Sequence, residues 1–382
     1  MRKNGISNVL RNCLFCLLCA VIWLPGMSWA QAAAVPAGGK TTQEIDQQAA
    51  EITAKMSLED KIGQMMILGI QGTALDETTR QQLQDLHAGG VILYDANMET
   101  KAQVRGLNQE LQKAYGKNLP LFIGVDEEGG LVSRMKHELT PPLSEEAIGR
   151  TGNPLAARES AIQTAKNLKA LGFNLNFAPV ADVGSGRERS FSKLPIEAAD
   201  FVDQAAKGYE QEGMLYTLKH FPGIGKGHAD THLDRVVVDA SLEKLQAEDI
   251  LPFQLVLQKH KQNNFFVMVS HVLYPALDAD HPASVSRAVQ TDLLRGKLGY
   301  QGIIATDAME MGALSKYYSY EEMGIKAIQA GADILMVCHG YDHERVVYNS
   351  VLKAVQDGVL PVQRIDESVR RIVAAKMGHL CG

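Results

Sequence analysis

Along the chain, short runs of consecutive apolar residues alternate with longer stretches in which apolar positions recur every three to four residues. Eight such runs stand out, at 65–70, 90–94, 119–125, 173–180, 214–218, 265–270, 302–305 and 332–338. Unbroken apolar runs of this length fit strands buried on both faces. The helical periodicity between them predicts helices over 156–171, 198–212, 241–259 and 320–330. Strand–helix alternation implies a parallel α/β sheet. Eight repeats point to a single (β/α)8 TIM-type barrel rather than an open doubly wound sheet. No G-x-G-x-x-G follows the first run, which argues against a dinucleotide fold. The expected organisation is a linker and the start of a first helix at 31–50, then one catalytic barrel over 51–382.

The first thirty residues break the pattern. Arg2, Lys3 and Arg11 precede an apolar stretch at 13–24, Pro25 and Gly26 end it, and Ser28-Trp29-Ala30 offers small residues where a signal peptidase cuts. That order predicts a cleaved export signal at 1–30 and a periplasmic or secreted protein. The alternative, a retained anchor, meets an apolar core of about a dozen residues where ~20 are needed to span a bilayer. Leu17 and Leu18 before Cys19 do not suit a lipoprotein cleavage site. Removing three basic residues with the signal takes the net charge from −6 to −9, so no nucleic-acid partner is expected. Cys338 and Cys381 alone remain, too few for a disulfide framework or a zinc site. Both tryptophans, Trp23 and Trp29, lie in the signal, which argues against a long polymer-binding groove.

In a barrel of this kind chemistry gathers where strands hand over to their following loops. Four runs end in ionisable or nucleophilic residues: Asp126-Glu127-Glu128, Lys219-His220, Ser270-His271 and Thr306-Asp307. Asp307 is the most isolated carboxylate, between Ala305 and Ala308-Met309. Such a group suits attack on an electrophilic carbon such as a sugar C1, although a strand-end Asp also serves to cap the next helix. The Gly-rich loop at 223–234 places Asp230 two residues before His232, close enough to orient the imidazole for proton relay; a solvent-exposed loop histidine is the plainer reading. His220, His228 and His232 lack the helical i, i+4 spacing of a zinc site, and no metal is expected. Arg134 and Arg189 follow the third and fourth strands and could hold a hydroxyl, an amide carbonyl or a carboxylate, or be solvated surface residues.

Five segments together carry a resemblance: GVDEEGGLVSR at 124–134, NFAPVADV at 176–183, GRERSFS at 186–192, KHFPGIGKGHADTH at 219–232 and ATDAMEM at 305–311. In that order they resemble the family-3 glycoside hydrolases, in the branch of bacterial β-N-acetylglucosaminidases. The resemblance covers nearly all of the chain after the signal and implies a (β/α)8-type barrel. It implies that Asp307 is the nucleophile, that His232 with Asp230 is the acid/base, and that Asp126, Arg134, Arg189, Lys219 and His220 bind the non-reducing sugar. A histidine acid/base departs from the usual carboxylate pair of glycosidases. Ile224 stands where many relatives carry His, and Tyr94-Asp95-Ala96-Asn97 is less basic than usual in the family.

The function implied is a retaining exo-β-N-acetylglucosaminidase releasing terminal GlcNAc from peptidoglycan fragments or short chito-oligosaccharides. Its partner is a small carbohydrate, with no metal or organic cofactor, and the enzyme is expected to act as a monomer. Two alternatives stay open. The same residues could perform phosphorolysis, since a histidine repels phosphate less than a carboxylate does. A catalytically inactive envelope sugar-binding protein is the other.

Overall fold

The computed structural model describes residues 41–115, 119–227 and 231–381. Eight parallel strands close into a barrel in sequence order: β1 Met66–Gly69, β2 Gly90–Leu93, β3 Phe122–Val125, β4 Leu175–Asn176, β5 Leu215–Phe221, β6 Phe265–Val269, β7 Ile303–Ala308 and β8 Ile334–Val337. Six of the eight apolar runs contain a whole strand; β5 and β7 begin in theirs and run on, to Phe221 and Ala308. The strands are buried on both faces, by the barrel interior and by the surrounding helices, which is why they read as unbroken apolar runs. The export signal expected at 1–30 lies outside the described residues, and no described helix is long and apolar enough to cross a membrane.

Two proline positions shift the expected boundaries. β4 stops at Asn176, because Pro179 has no N–H to offer a ladder; pairing resumes only as a single bridge between Val180 and Lys219. The helix expected over 241–259 is two, Leu242–Ala247 and Leu251–Lys259. Pro252 sits in the first turn of the second, where its missing N–H costs nothing, but it cannot continue the first. The helix expected over 320–330 is found as Tyr320–Ala330, opened by a capping box between Ser319 and Glu322.

The C-terminal helix Val362–His379 braces the strand starts. Asp333, fully buried just before β8, pairs with Arg295 and with Arg371 and Arg364 at 3.1 and 3.5 Å. Lys376 is buried on the same helix, donating to Gln64 Oε1 at 2.6 Å and Gly89 O at 2.7 Å, 4.7 Å above the Phe122 ring. With no carboxylate paired to it among the described residues, burial outweighs the opposing Cys381 charge and pulls the amine down to about 7.

At the other rim the ladder is irregular where chemistry is needed. The β5–β6 register shifts between Leu218 and Phe221, and the β7–β8 register between Ala305 and Ala308. These irregularities bracket Lys219, His220 and Asp307, and such bulges re-aim side chains at barrel rims. Two glycines let the loops pack closely. Gly129 has φ +99° and a Cβ there would meet Leu143 O at 2.2 Å; a Cβ on Gly225 would meet Val183 O at 1.8 Å.

Candidate active site

At the C-terminal ends of the strands lies a cavity of about 310 Å³, lined by Asp126, Arg134, Arg189, Lys219, His220, His232 and Asp307 among others. Every described residue to which the resemblance gave a role therefore reaches one cavity, whereas Glu127 and Thr306, also at strand ends, do not line it. Asp230 lies outside the described residues.

The three acidic residues after β3 have different surroundings. Asp126 faces the cavity and accepts from Lys219 Nζ at 2.8 Å, with an Arg134 nitrogen at 3.5 Å. Glu127 turns inward: its Oε2 accepts the Arg134 N–H at 2.8 Å, and Asn176 bonds its backbone on both sides. Burial pushes the Glu127 carboxyl up to about 7, although Ser133 and the Arg134 N–H oppose it. Glu128 is buried between two cations. Arg189 grips it with two bonds of 2.7 Å, and Lys219 approaches at 2.6 Å. Burial alone would raise it, but these charges outweigh the desolvation and hold it at about 2. The same ion pairs, against burial, raise Lys219 above its ordinary value and keep it an ammonium. Arg134 also pairs with Asp95 at 3.0 Å and lies 5.5 Å over the Tyr94 ring.

His220 has a fixed tautomer. Its Nε2 meets an Arg189 nitrogen at 3.3 Å, and because guanidinium only donates, Nε2 must accept. Nδ1–H then donates to the buried Asp182 at 2.8 Å. The other Asp182 oxygen accepts the backbone N–H groups of His220 and Ile224, pinning the start of the loop that leads to His232. The far end of that loop is also held, since Thr231 O and His232 O accept from Ala313 and Gly312 after β7.

Asp307 is the next-to-last residue of β7, with Oδ1 accepting the Ala308 N–H at 2.8 Å. Burial raises its carboxyl, but His220, His271, the Ala308 N–H and Lys219 outweigh it and hold Asp307 below the ordinary carboxylate range. His271 donates from Nε2 to Ala308 O at 2.9 Å and so accepts from Ser284 Oγ at 2.7 Å through Nδ1. Burial lowers its pKa, so the ring is neutral at pH 7. Around Asp307 every permanent cation is already neutralised by a carboxylate, and Asp307 itself has no ion pair among the described residues. An ionised, half-buried carboxylate near a strand end, with no ion pair among the described residues, is the arrangement a carbon nucleophile needs.

Residues 57–375 match the sequence profile of the glycosyl hydrolase family 3 N-terminal domain. The chain belongs to glycosyl hydrolase family 3. Among the relatives, a β-hexosaminidase of Stenotrophomonas maltophilia is 34% identical over 291 residues, which is 72% of this chain and 83% of that one. The β-hexosaminidase A of Pseudoalteromonas piscicida is 35% identical over 273 residues, 65% of this chain; the match spans 45% of that longer protein. Among solved structures, a family 3 β-N-acetylglucosaminidase from Paenibacillus superposes with a TM-score of 0.82 at 34% identity. It covers 85% of this chain, and this chain spans 63% of it. A β-N-acetylhexosaminidase from Beutenbergia cavernae gives 0.76 at 26% identity, over 85% of this chain and 99% of that one.

This family 3 chain also brings to the site residues that sequence reasoning did not select. Glu128 and Asp182 lie inside the motifs that carried the resemblance, but only the fold shows that one joins two cations and the other sets an imidazole. Tyr94, His271 and Glu310 line the cavity as well. Of these, His271 had a legible signal, its place directly after an apolar run.

Proposed function

We propose that the protein is a retaining exo-β-N-acetylglucosaminidase that removes single terminal GlcNAc residues. The observation that carries this reading is Asp307, the ionised carboxylate without an ion pair at the centre of a ring of neutralised charges. The relatives described as hexosaminidases support the sugar class. Asp126, Arg134, Arg189, Lys219 and His220 bind the hydroxyls and acetamido group of the sugar.

In the first step an Asp307 oxygen attacks C1 while the C1–O bond to the leaving group breaks. His232, as imidazolium, gives its proton to the departing oxygen, and the sugar remains as an ester on Asp307. In the second step neutral His232 takes a proton from water, the water oxygen attacks C1, and the Asp307 carboxylate departs. Two inversions leave the β configuration intact. Asp230 steers the imidazole of His232 through both steps. A cavity of about 310 Å³ is at the small end of ligand sites and suits one sugar rather than a chain. After export the enzyme would meet peptidoglycan fragments or short chito-oligosaccharides outside the cytoplasm.

The test is turnover of 4-nitrophenyl β-GlcNAc and the matching β-glucoside, with and without phosphate, beside Asp307→Ala. Phosphate-independent release from the GlcNAc compound, abolished in the variant, is expected. GlcNAc 1-phosphate as product, or equal rates on both glycosides, would overturn the reading.

A further inference from the structure

Asp307 sits in a β-bulge. Between the pair Ala305 and Ile334 and the pair Ala308 and Met336, β7 spends two residues, Thr306 and Asp307, where β8 spends one, Leu335. Side chains pick up backbone groups around this extra residue. Thr306 Oγ1 accepts the Met336 N–H at 3.1 Å. Asp307 Oδ1 accepts the Ala308 N–H at 2.8 Å, and His271 Nε2 donates to Ala308 O at 2.9 Å. Ala308 is therefore gripped at both of its backbone polar groups, and its N–H is what fixes the carboxylate.

His271 lies two residues beyond β6, the strand that runs in register with β7 as far as Val269 and Thr306. The residue is fully buried, and its ring has one orientation: Ser284 Oγ donates to Nδ1 at 2.7 Å, so the proton is on Nε2, where Ala308 O needs it. Ser284 is itself fully buried and does not line the cavity. Three hydrogen bonds therefore run in a chain from Ser284 through His271 and Ala308 to the attacking carboxylate. With both ring nitrogens engaged by the protein, His271 has no donor left for the sugar, and neither step above uses it.

We infer that His271 is a positioning residue for the nucleophile: its Nε2–H holds the Ala308 carbonyl, and through Ala308 it holds the Asp307 carboxylate in line with C1. With Oδ1 committed to the Ala308 N–H, Oδ2 is the oxygen left to attack. An attacking oxygen misplaced by about 1 Å can cost about 100-fold in rate, while the groups that bind the sugar stay where they are. The inference rests on the glycosidase reading and on Asp307 as its nucleophile.

The experiment compares His271→Gln with His271→Asn in the full protein. A Gln amide nitrogen reaches the place of imidazole Nε2, whereas an Asn amide nitrogen reaches only that of Nδ1 and falls short of Ala308 O. The readouts are kcat on 4-nitrophenyl β-GlcNAc, scaled by the native fraction from denaturant titration, and the inhibition constant of free GlcNAc. His271→Asn is expected to lose about 10- to 100-fold in kcat and His271→Gln no more than about fivefold, with GlcNAc binding both within about threefold of wild type. Ser284→Ala, outside the cavity, is expected to lower kcat about three- to tenfold alone and not at all on top of His271→Asn, where the chain of contacts is already cut. It carries the test by itself if neither substitution at position 271 folds. Wild-type kcat in His271→Asn, equal losses in the Gln and Asn variants, or GlcNAc affinity falling in step with kcat would overturn the role of His271 alone. A wild type inactive on the glycoside would overturn the glycosidase reading, and this inference with it.

Discussion

Glu127 and Glu128 are adjacent, nearly equally buried, and pushed in opposite directions, which makes them a matched test of what holds the sugar site together. Glu128 falls from 4.5 to about 2, and its side chain is only 2% exposed, so solvent screening does not discount the effect. At ~1.4 kcal/mol per unit, the ionised Glu128 contributes about 3 kcal/mol to stability at pH 7. A group depressed in the fold stabilises above its unfolded pKa, and that contribution is lost as the pH falls toward and through 2. Breaking a buried ion pair by removing one partner costs ~3–5 kcal/mol, an independent estimate of the same size. Glu128→Gln leaves Lys219 and Arg189 buried against an uncharged amide. It is expected to lower the free energy of unfolding by about 3 kcal/mol at pH 7, shrinking to about 2 kcal/mol at pH 3.5. Glu127, raised from 4.5 to about 7, has the opposite sign: its ionised form is disfavoured in the fold, and stability is lost as the pH rises between those values. Glu127→Gln should therefore stabilise the protein by up to about 3 kcal/mol above pH 7 and have little effect below pH 4.5. Denaturant titrations of the three proteins from pH 3.5 to 8 read all of this. Equal stability of Glu128→Gln and wild type at pH 7, or the same sign for both substitutions, would refute the electrostatic argument.

Asp182→Asn sets an amide N–H against one of the three donors that converge on this side chain, freeing the His220 tautomer and the loop start. A fall in kcat/KM of about 10- to 100-fold with the fold intact is expected on the aryl glycoside. Lys376 is buried with its amine pulled down to about 7, so wild-type stability should rise with pH as the unfolded chain alone keeps the proton. Relative to Lys376→Met, the gain between pH 7 and 9 is about 2 kcal/mol, read by denaturant titration at the two values; parallel stability curves would show that this amine does not titrate in the fold.

The barrel was legible in the sequence because its strands are buried on both faces and so appear as apolar runs without alternation. The runs at 173–180 and 214–218 mark their strands less well. One includes Pro179, which cannot join a ladder, and β5 extends beyond its apolar stretch through Lys219 and His220, polar residues that a hydropathy pattern excludes from a strand. The site was legible where chemistry sits just beyond an apolar run, as with Asp307 and Lys219. It was not legible where function depends on a partner distant in sequence. Nothing near Glu128 announces that Arg189 and Lys219 will close on it, and the imidazole of His220 is set by Asp182, 38 positions away.

Retention requires Asp307 to form a bond to the sugar. Proton NMR of 4-nitrophenyl β-GlcNAc in the first minutes of turnover, before mutarotation, reads that step through the configuration of the GlcNAc released. The β anomer is expected first, with the α anomer appearing only as mutarotation proceeds. The α anomer as first product would mean a single displacement by water, and Asp307 would not be the nucleophile.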